Sequence, residues 1–265
     1  MITAILLYCV LGAVAGLLAG LLGIGGGAVV VPMLVFSFQW LNISPEVAMH
    51  MAIGTSFGSI MFTSISSAMA HHRHGGVDWH VFRCIALGIL LGTYGGSFIA
   101  ARIPARYLQM FFVVFLYYVA TNMLLNKKPS ASRTLPGFSG MTGAGVVIGA
   151  VSSLVGIGGG TLSVPFLVWH NMDMRRAVGT SAAMGFPIAL AGCIGFVTNG
   201  WNNPELPAYA FGYLYLPALV GIVAVSMLTA PLGAGIAHKL PVPKLKKFFA
   251  FFLYLVATKM LLDVL

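Results

Sequence analysis

Two glycine clusters, each set inside an apolar run, limit the folds open to this chain more than any other feature. Residues 22–32 read LGIGGGAVVVP and residues 155–165 read VGIGGGTLSVP. Glycine costs about 1 kcal/mol per position in a helix, so four glycines in five residues end whatever helix precedes them. An apolar arm, a glycine knot and a second arm starting afresh describe a helix broken inside a membrane. The composition requires the membrane: of 265 residues, 59% are hydrophobic and only 7% charged, against about 25% charged in a soluble domain.

A spanning helix needs about 20 apolar residues, and apolar segments follow one another along the whole chain. The first half offers 4–22, the knot, 28–40, 48–70, 81–101 and 107–125. The second offers 140–154, the knot, 161–169, 177–197, 213–237 and 245–262. The halves also match residue by residue. AIGTS at 52–56 pairs with AVGTS at 177–181, FLYYVATNMLL at 115–125 with FLYLVATKMLL at 252–262, and Pro104 aligns with Pro241. We therefore expect a first membrane repeat at 1–126, a cytoplasmic linker at 127–138 and a second repeat at 139–265. Internal repeats of this kind build many transporter folds, with the substrate site at their interface.

Orientation follows from the basic residues, which favour cytoplasmic loops. They gather as Arg73 with Arg83, Lys127 with Lys128 and Arg133, Arg175 with Arg176, and Lys239 with Lys244, Lys246 and Lys247. All four groups share one side only if each arm-knot-arm unit returns to the side it entered from. Arg102, Arg106 and Lys259 then stand on the other side. The expected fold is an all-α integral membrane protein of two inverted-topology repeats, each a broken-helix hairpin plus three transmembrane helices. Both termini lie outside, and the two knots, entering from opposite sides, meet near the bilayer midplane. Residues 1–5 lack the positive stretch of a cleavable signal peptide and belong to the first helix. The net charge of +9 serves topology, with no nucleic-acid partner implied.

At each knot the second arm begins with free backbone N–H groups, those of Gly27 to Val30 and of Gly160 to Ser163. A helix N-terminus carries about half a positive charge together with unsatisfied donors, which makes an anion site without a charged side chain. The candidate substrate-binding residues are Gly25, Gly26, Gly27 and Ala28 at one tip and Gly158, Gly159, Gly160 and Thr161 at the other. Thr161 adds a hydroxyl that its counterpart Ala28 lacks. Pro32 and Pro165 leave the carbonyls of Ala28 and Thr161 without their usual helical partners and mark possible kinks. Thr55 with Ser56 and Thr180 with Ser181 place paired hydroxyls in apolar helices. They either donate to an oxyanion or bond to helix carbonyls and allow close packing.

Glu46, Asp78, Asp173, Glu205 and Asp263, the only acidic residues, all fall near segment ends, so no mid-membrane carboxylate is available to bind a cation or relay protons. His71, His72 and His74 with Asp78 and His80 form the one metal-like cluster, readable either as a solvated loop or as a regulatory sensor. His50 and its counterpart Arg175 stand at cavity mouths or act as interfacial anchors. Trp40, Trp79, Trp169 and Trp201 fit an interfacial aromatic belt. Cys9, Cys84 and Cys193 read as buried free thiols, with no metal site and no cofactor. No phosphate-binding loop, zinc-protease helix or serine elbow points to an enzyme.

The two Gly-Ile-Gly-Gly-Gly knots each followed by a proline, the two Gly-Thr-Ser segments and the duplicated plan resemble the sulfite exporter TauE/SafE family of bacterial permeases. The resemblance implies a multi-pass secondary transporter of the inner membrane. It would move small sulfur-containing anions such as sulfite, sulfonates or related organosulfur compounds outward. Expelling one negative charge from a cell that is negative inside gains about 2.3 kcal/mol per 100 mV, so export needs no coupled cation. A passive anion channel would use the same motifs, and a permease or sensor using the His-rich loop for metal is a third reading. The partners are a small anion and the lipid bilayer. The oligomeric state is open, a homodimer being one option.

Overall fold

The computed structural model describes residues 2–22, 26–125, 134–237 and 242–264. Gly23, Ile24 and Gly25 of the first knot, residues 126–133 of the linker, Lys239 and Pro241 lie outside them. The described residues form ten helices: α1 Ile2–Leu22, α2 Gly27–Trp40, α3 Pro45–Arg73, α4 Trp79–Arg102, α5 Ala105–Leu125, α6 Phe138–Val155, α7 Gly160–Trp169, α8 Met174–Gly200, α9 Leu216–Ala237 and α10 Val242–Leu262. Before α9 the chain makes a two-residue antiparallel ladder, β1 Ala210–Phe211 with β2 Leu214–Tyr215. The helix expected from residue 213 therefore starts three residues later. Gly212 turns the ladder at φ +56°, where any Cβ would strike the Val197 carbonyl.

The protein is an all-helical membrane protein. Among the described residues α4, α5, α6 and α8 are long and apolar enough to cross a bilayer by length and composition alone. At about 1.5 Å per residue the 14-residue α2 and 10-residue α7 reach only about 21 and 15 Å, too short to cross. Helix ends follow simple electrostatics. Asp78 caps α4 by accepting from the backbone of His80 and Val81, both at 3.1 Å, and Asp173 caps α8 through Arg175 at 3.0 Å. Glu46 opens α3 and Arg73 closes it, each sign matching the helix dipole.

Packing follows glycine stripes. Gly88, Gly92 and Gly96 of α4 lie against Thr142, Val146 and Ala150 of α6, while Gly145 and Gly149 of α6 lie against Ile85 and Ile89 of α4. The register makes α4 and α6 parallel. Gly12 and Gly16 of α1 meet Ile222 and Ser226 of α9 in the same parallel sense, with Gly221 on Tyr8. These spacings of four let backbones approach closely. By contrast α3 and α8 are antiparallel: Gly54 faces Phe196, Phe57 faces Gly192, Ser64 faces Gly185 and His71 faces Gly179. So are α5 and α10, where Gln109 donates to the Met260 carbonyl at 3.1 Å and Tyr117 and Thr121 reach Thr258 and Tyr254 at 2.8 and 2.7 Å.

Together these registers sort helix ends. α6 starts beside the beginning of α4 and stops level with Gly96; α8 starts back beside Asp78, which Arg176 reaches at 3.0 Å. The short α7 thus returns to the end from which α6 set out. In the same way α1 starts beside the beginning of α9. The head of α3 lies at that same end, since His50 reaches the last turn of α4 and Thr55 reaches Tyr215, so α2 returns there. Replacing Gly92 with alanine should lower the thermal midpoint in detergent, at a cost of about 1–3 kcal/mol for overpacking. Gly95→Ala, on the open face of the same helix with nothing within 4 Å, should leave the midpoint unchanged or raise it, and equal losses in both variants would contradict the stripe.

Candidate functional site

The two knots touch. A Cβ placed on Gly27 would fall 2.6 Å from the Gly156 carbonyl oxygen and 2.9 Å from Ile157 Cα, with Ile60 Cδ1 at 3.2 Å. Ile60 also lies under Gly158. The start of α2 is therefore pressed on the bend between α6 and α7, with no room for a side chain. Gly156 ends α6 in the left-handed region, φ +68°, and donates to the Ser152 carbonyl at 2.8 Å. Gly26 precedes α2 at φ +71°, whereas Gly159 precedes α7 at φ −53°. A glycine at 159 is thus needed for space: a Cβ there would lie 3.0 Å from the Ser181 carbonyl and 3.3 Å from Ser163 Oγ.

The free donors are fewer than the sequence suggests. Val29 and Val30 both donate to the Gly26 carbonyl at 2.9 Å, and Ser163 donates to the Gly159 carbonyl at 2.8 Å. Closing the first turn engages the fourth N–H with the cap carbonyl. Gly27 and Ala28, and Gly160, Thr161 and Leu162, keep N–H groups without an intrahelical partner. Gly27 and Ala28 are buried, as are Gly158 and Gly159, while Gly160 and Thr161 are half-buried. Gly25 lies outside the described residues.

The four paired hydroxyls, all buried, do different work. Ser56 Oγ donates to the Gly156 carbonyl at 2.8 Å, tying α3 to the bend of the second knot. Thr55 Oγ1 accepts from Tyr215 N at 3.0 Å, and Thr180 Oγ1 accepts from Asp78 N at 2.9 Å. Tyr215 stands one residue before α9 and Asp78 one residue before α4, so each threonine holds the head of a helix from the other half. Neither Ser181 Oγ nor Ser163 Oγ has a hydrogen-bond partner, and Ser163 Oγ and the Ser181 carbonyl oxygen both border Gly159. The glycine tips, Ser56 and Ser181 come together around the knots, while Thr55 and Thr180 serve as cross-struts. Ser163 escaped notice in the sequence. Its only signal is a hydroxyl inside the otherwise apolar α7, opposite Val30 in the matching knot.

No charge intrudes. All five acidic residues stand at helix ends or in a loop: Asp78 and Asp173 as caps, Asp263 bonded to Lys259, Glu46 in the first turn of α3 and Glu205 in the α8–β1 loop. His50 is only 4% exposed. Its Nε2 lies 3.1 Å from the carbonyls of Ala100 and Ile103, and its ring stacks on Tyr213. It pins α3 to the end of α4 rather than anchoring at an interface. A recess of about 330 Å³ opens beside it, lined by Glu46, His50, Arg102, Asn203, Glu205 and Tyr213 among others. In the His-rich loop His72 Nδ1 accepts from Trp79 Nε1 at 3.1 Å. Among the described residues no three His, Cys, Asp or Glu side chains gather to hold a metal ion. The three cysteines are free, but only Cys193 is buried; Cys9 and Cys84 are partly exposed.

Thr180→Val leaves the Asp78 N–H buried without its acceptor, which should cost roughly 1–3 kcal/mol. Thr180→Ser should retain most of the stability. Thermal unfolding of the pair in detergent checks this, and equal midpoints would show that the strut carries no energy.

The model of the family described as sulfite exporter TauE/SafE matches residues 8–260. The chain is 41% identical to a "Probable membrane transporter protein" of Haemophilus influenzae, over 99% of this chain and 100% of that protein. It is 29% identical to the "Probable membrane transporter protein MJ0441" of Methanocaldococcus jannaschii, over 88% and 86% of the two chains. With the "Probable membrane transporter protein YdhB" of Bacillus subtilis it shares 26% identity over 87% and 89%. No solved structure matches the chain.

Proposed function

Since the chain belongs to the sulfite exporter TauE/SafE family, we propose that it is a secondary transporter of the bacterial inner membrane that exports small sulfur-containing anions. The substrate is held between the two glycine knots and passed across by alternating access. The observation that carries this reading is the contact of Gly27 with Gly156 and Ile157. It supports a shared site by bringing the start of α2 against the bend that leads into α7, so that two short helices begin near each other with N–H groups that lack intrahelical partners. Helix N-termini bind anions through these donors and the dipole.

Two further observations support the transport geometry. The α1–α2 and α6–α7 units enter from opposite ends, and α3 runs against α8 as α5 runs against α10, which supports reading residues 1–126 and 139–265 as two inverted repeats. Arg83, Arg175 and Arg176 lie at the end where α4 and α8 begin; Arg73 closes α3 there and Lys247 is in the first turns of α10, while Arg102, Arg106 and Lys259 lie at the other. With the basic end cytoplasmic, both termini are periplasmic.

Gly26→Leu forces an L-residue into the left-handed region, and Gly159→Leu drives a side chain into Ser181 and Ser163. Each should abolish uptake of labelled sulfite into sulfite-loaded inverted vesicles while membrane insertion persists. Normal counterflow from both variants would sink the site, and flux without counterflow in the wild type would indicate a channel instead.

A further inference from the structure

Among the described residues five buried side-chain polar atoms lack a hydrogen-bond partner: Tyr8 OH, His50 Nδ1, Thr93 Oγ1, Ser163 Oγ and Ser181 Oγ. The last two belong to residues that meet at one glycine, Gly159, the cap of α7. A buried hydroxyl left unsatisfied is costly. Ser163 Oγ faces Gly159 at the start of α7, Ser181 reaches the same glycine through its carbonyl oxygen, and neither hydroxyl finds a partner within the protein.

We propose that the N-terminus of α7, completed by the hydroxyls of Ser163 and Ser181, is the subsite that holds a singly charged oxyanion. This rests on the transport reading above and names the groups that do the binding. The chemistry of the partner follows from the donors. Gly160, Thr161 and Leu162 present N–H groups without intrahelical acceptors, and both serines have an O–H to give, so the complementary ligand is an acceptor with several oxygens.

The two knots differ here, and the difference assigns the subsite to the second. Ser163 stands where the first knot has Val30, and Ser56, the counterpart of Ser181, is already spent on the Gly156 carbonyl at 2.8 Å. The first knot then acts as a wall pressed against Gly156 and Ile157. Charge sets the class of ligand. The α7 terminus offers about half a positive charge, and the basic residues described stand near helix ends or in loops away from Gly159. A second negative charge would be buried without compensation. A sulfonate or a protonated oxyanion fits these donors, and a dianion such as sulfate does not.

The purified full-length chain in detergent tests this by thermal shift and isothermal titration with methanesulfonate and with sulfate at matched ionic strength. Methanesulfonate should raise the midpoint, since a ligand stabilises the state it binds, and sulfate should not. Ser163→Ala and Ser181→Ala should each weaken methanesulfonate binding about tenfold, the loss of one charge-assisted hydrogen bond. Their ligand-free midpoints should stay level or rise, because each removes an unsatisfied hydroxyl. A lowered ligand-free midpoint would make the serines structural and overturn the proposal. Full affinity in both alanine variants, with binding lost in Gly159→Leu, would overturn the subsite and leave the knot site standing. Sulfate binding as tightly as methanesulfonate would overturn the charge limit, and no response to either anion in the wild type would overturn the knot site as well.

Discussion

Backbone N–H and C=O groups that leave a helix inside an apolar slab must find partners within the protein, because lipid offers none. The second glycine knot of this chain meets that constraint at its bend and at the first turn of α7. Its bend at Gly156 returns an N–H to Ser152 and gives its carbonyl to Ser56. Ser163 N–H closes on Gly159. What is left over is a short row of donors at the head of α7, on residues that are half-buried, just after a bend that the rest of the architecture covers. The start of α2 seals the bend, Ile60 lies beneath both knots, and Ile53 covers Gly156.

Holding two broken helices tip to tip needs a frame that does not shift. Glycine stripes supply it by letting α4 lie on α6 and α1 on α9 at backbone contact. Every cross-pair joins one half of the chain to the other: α1 to α9, α4 to α6, α3 to α8 and α5 to α10. Neither half buries its own faces alone. Thr55 and Thr180 then lock the head of α9 to α3 and of α4 to α8, at opposite ends of the bundle. A rearrangement that loosened one end would break one strut and keep the other.

Much of this was legible in the sequence. Helix positions were readable because apolar runs of about 20 residues have few other uses, and glycine with proline marks where they stop. The 213–237 segment went wrong at its head because Leu214 and Tyr215 are as apolar in a two-residue strand as in a helix, and only Gly212 hinted at the turn. The glycine stripes at 12 and 16, 88, 92 and 96, and 145 and 149 were visible as spacings of four, but which helix each faced was not. His50 could be read as a cavity-mouth residue or an interfacial anchor, because nothing local shows that the carbonyls of Ala100 and Ile103 arrive from the end of another helix.

At the knots themselves, sequence alone determined that the chain must break twice, that the breaks resemble each other and that no carboxylate stands near them. Those facts depend on local chemistry: glycine's backbone freedom, the hydropathy of the arms and the places where charges occur. The tertiary structure decided which hydroxyls remain free. Thr55, Ser56, Thr180 and Ser181 are equivalent in one dimension, yet three of them are engaged by backbone groups 100 residues or more away. Ser181 and Ser163 are left unpaired. Whether a polar side chain is strut or ligand donor depends on what folds against it, and no residue carries that information in its own neighbourhood.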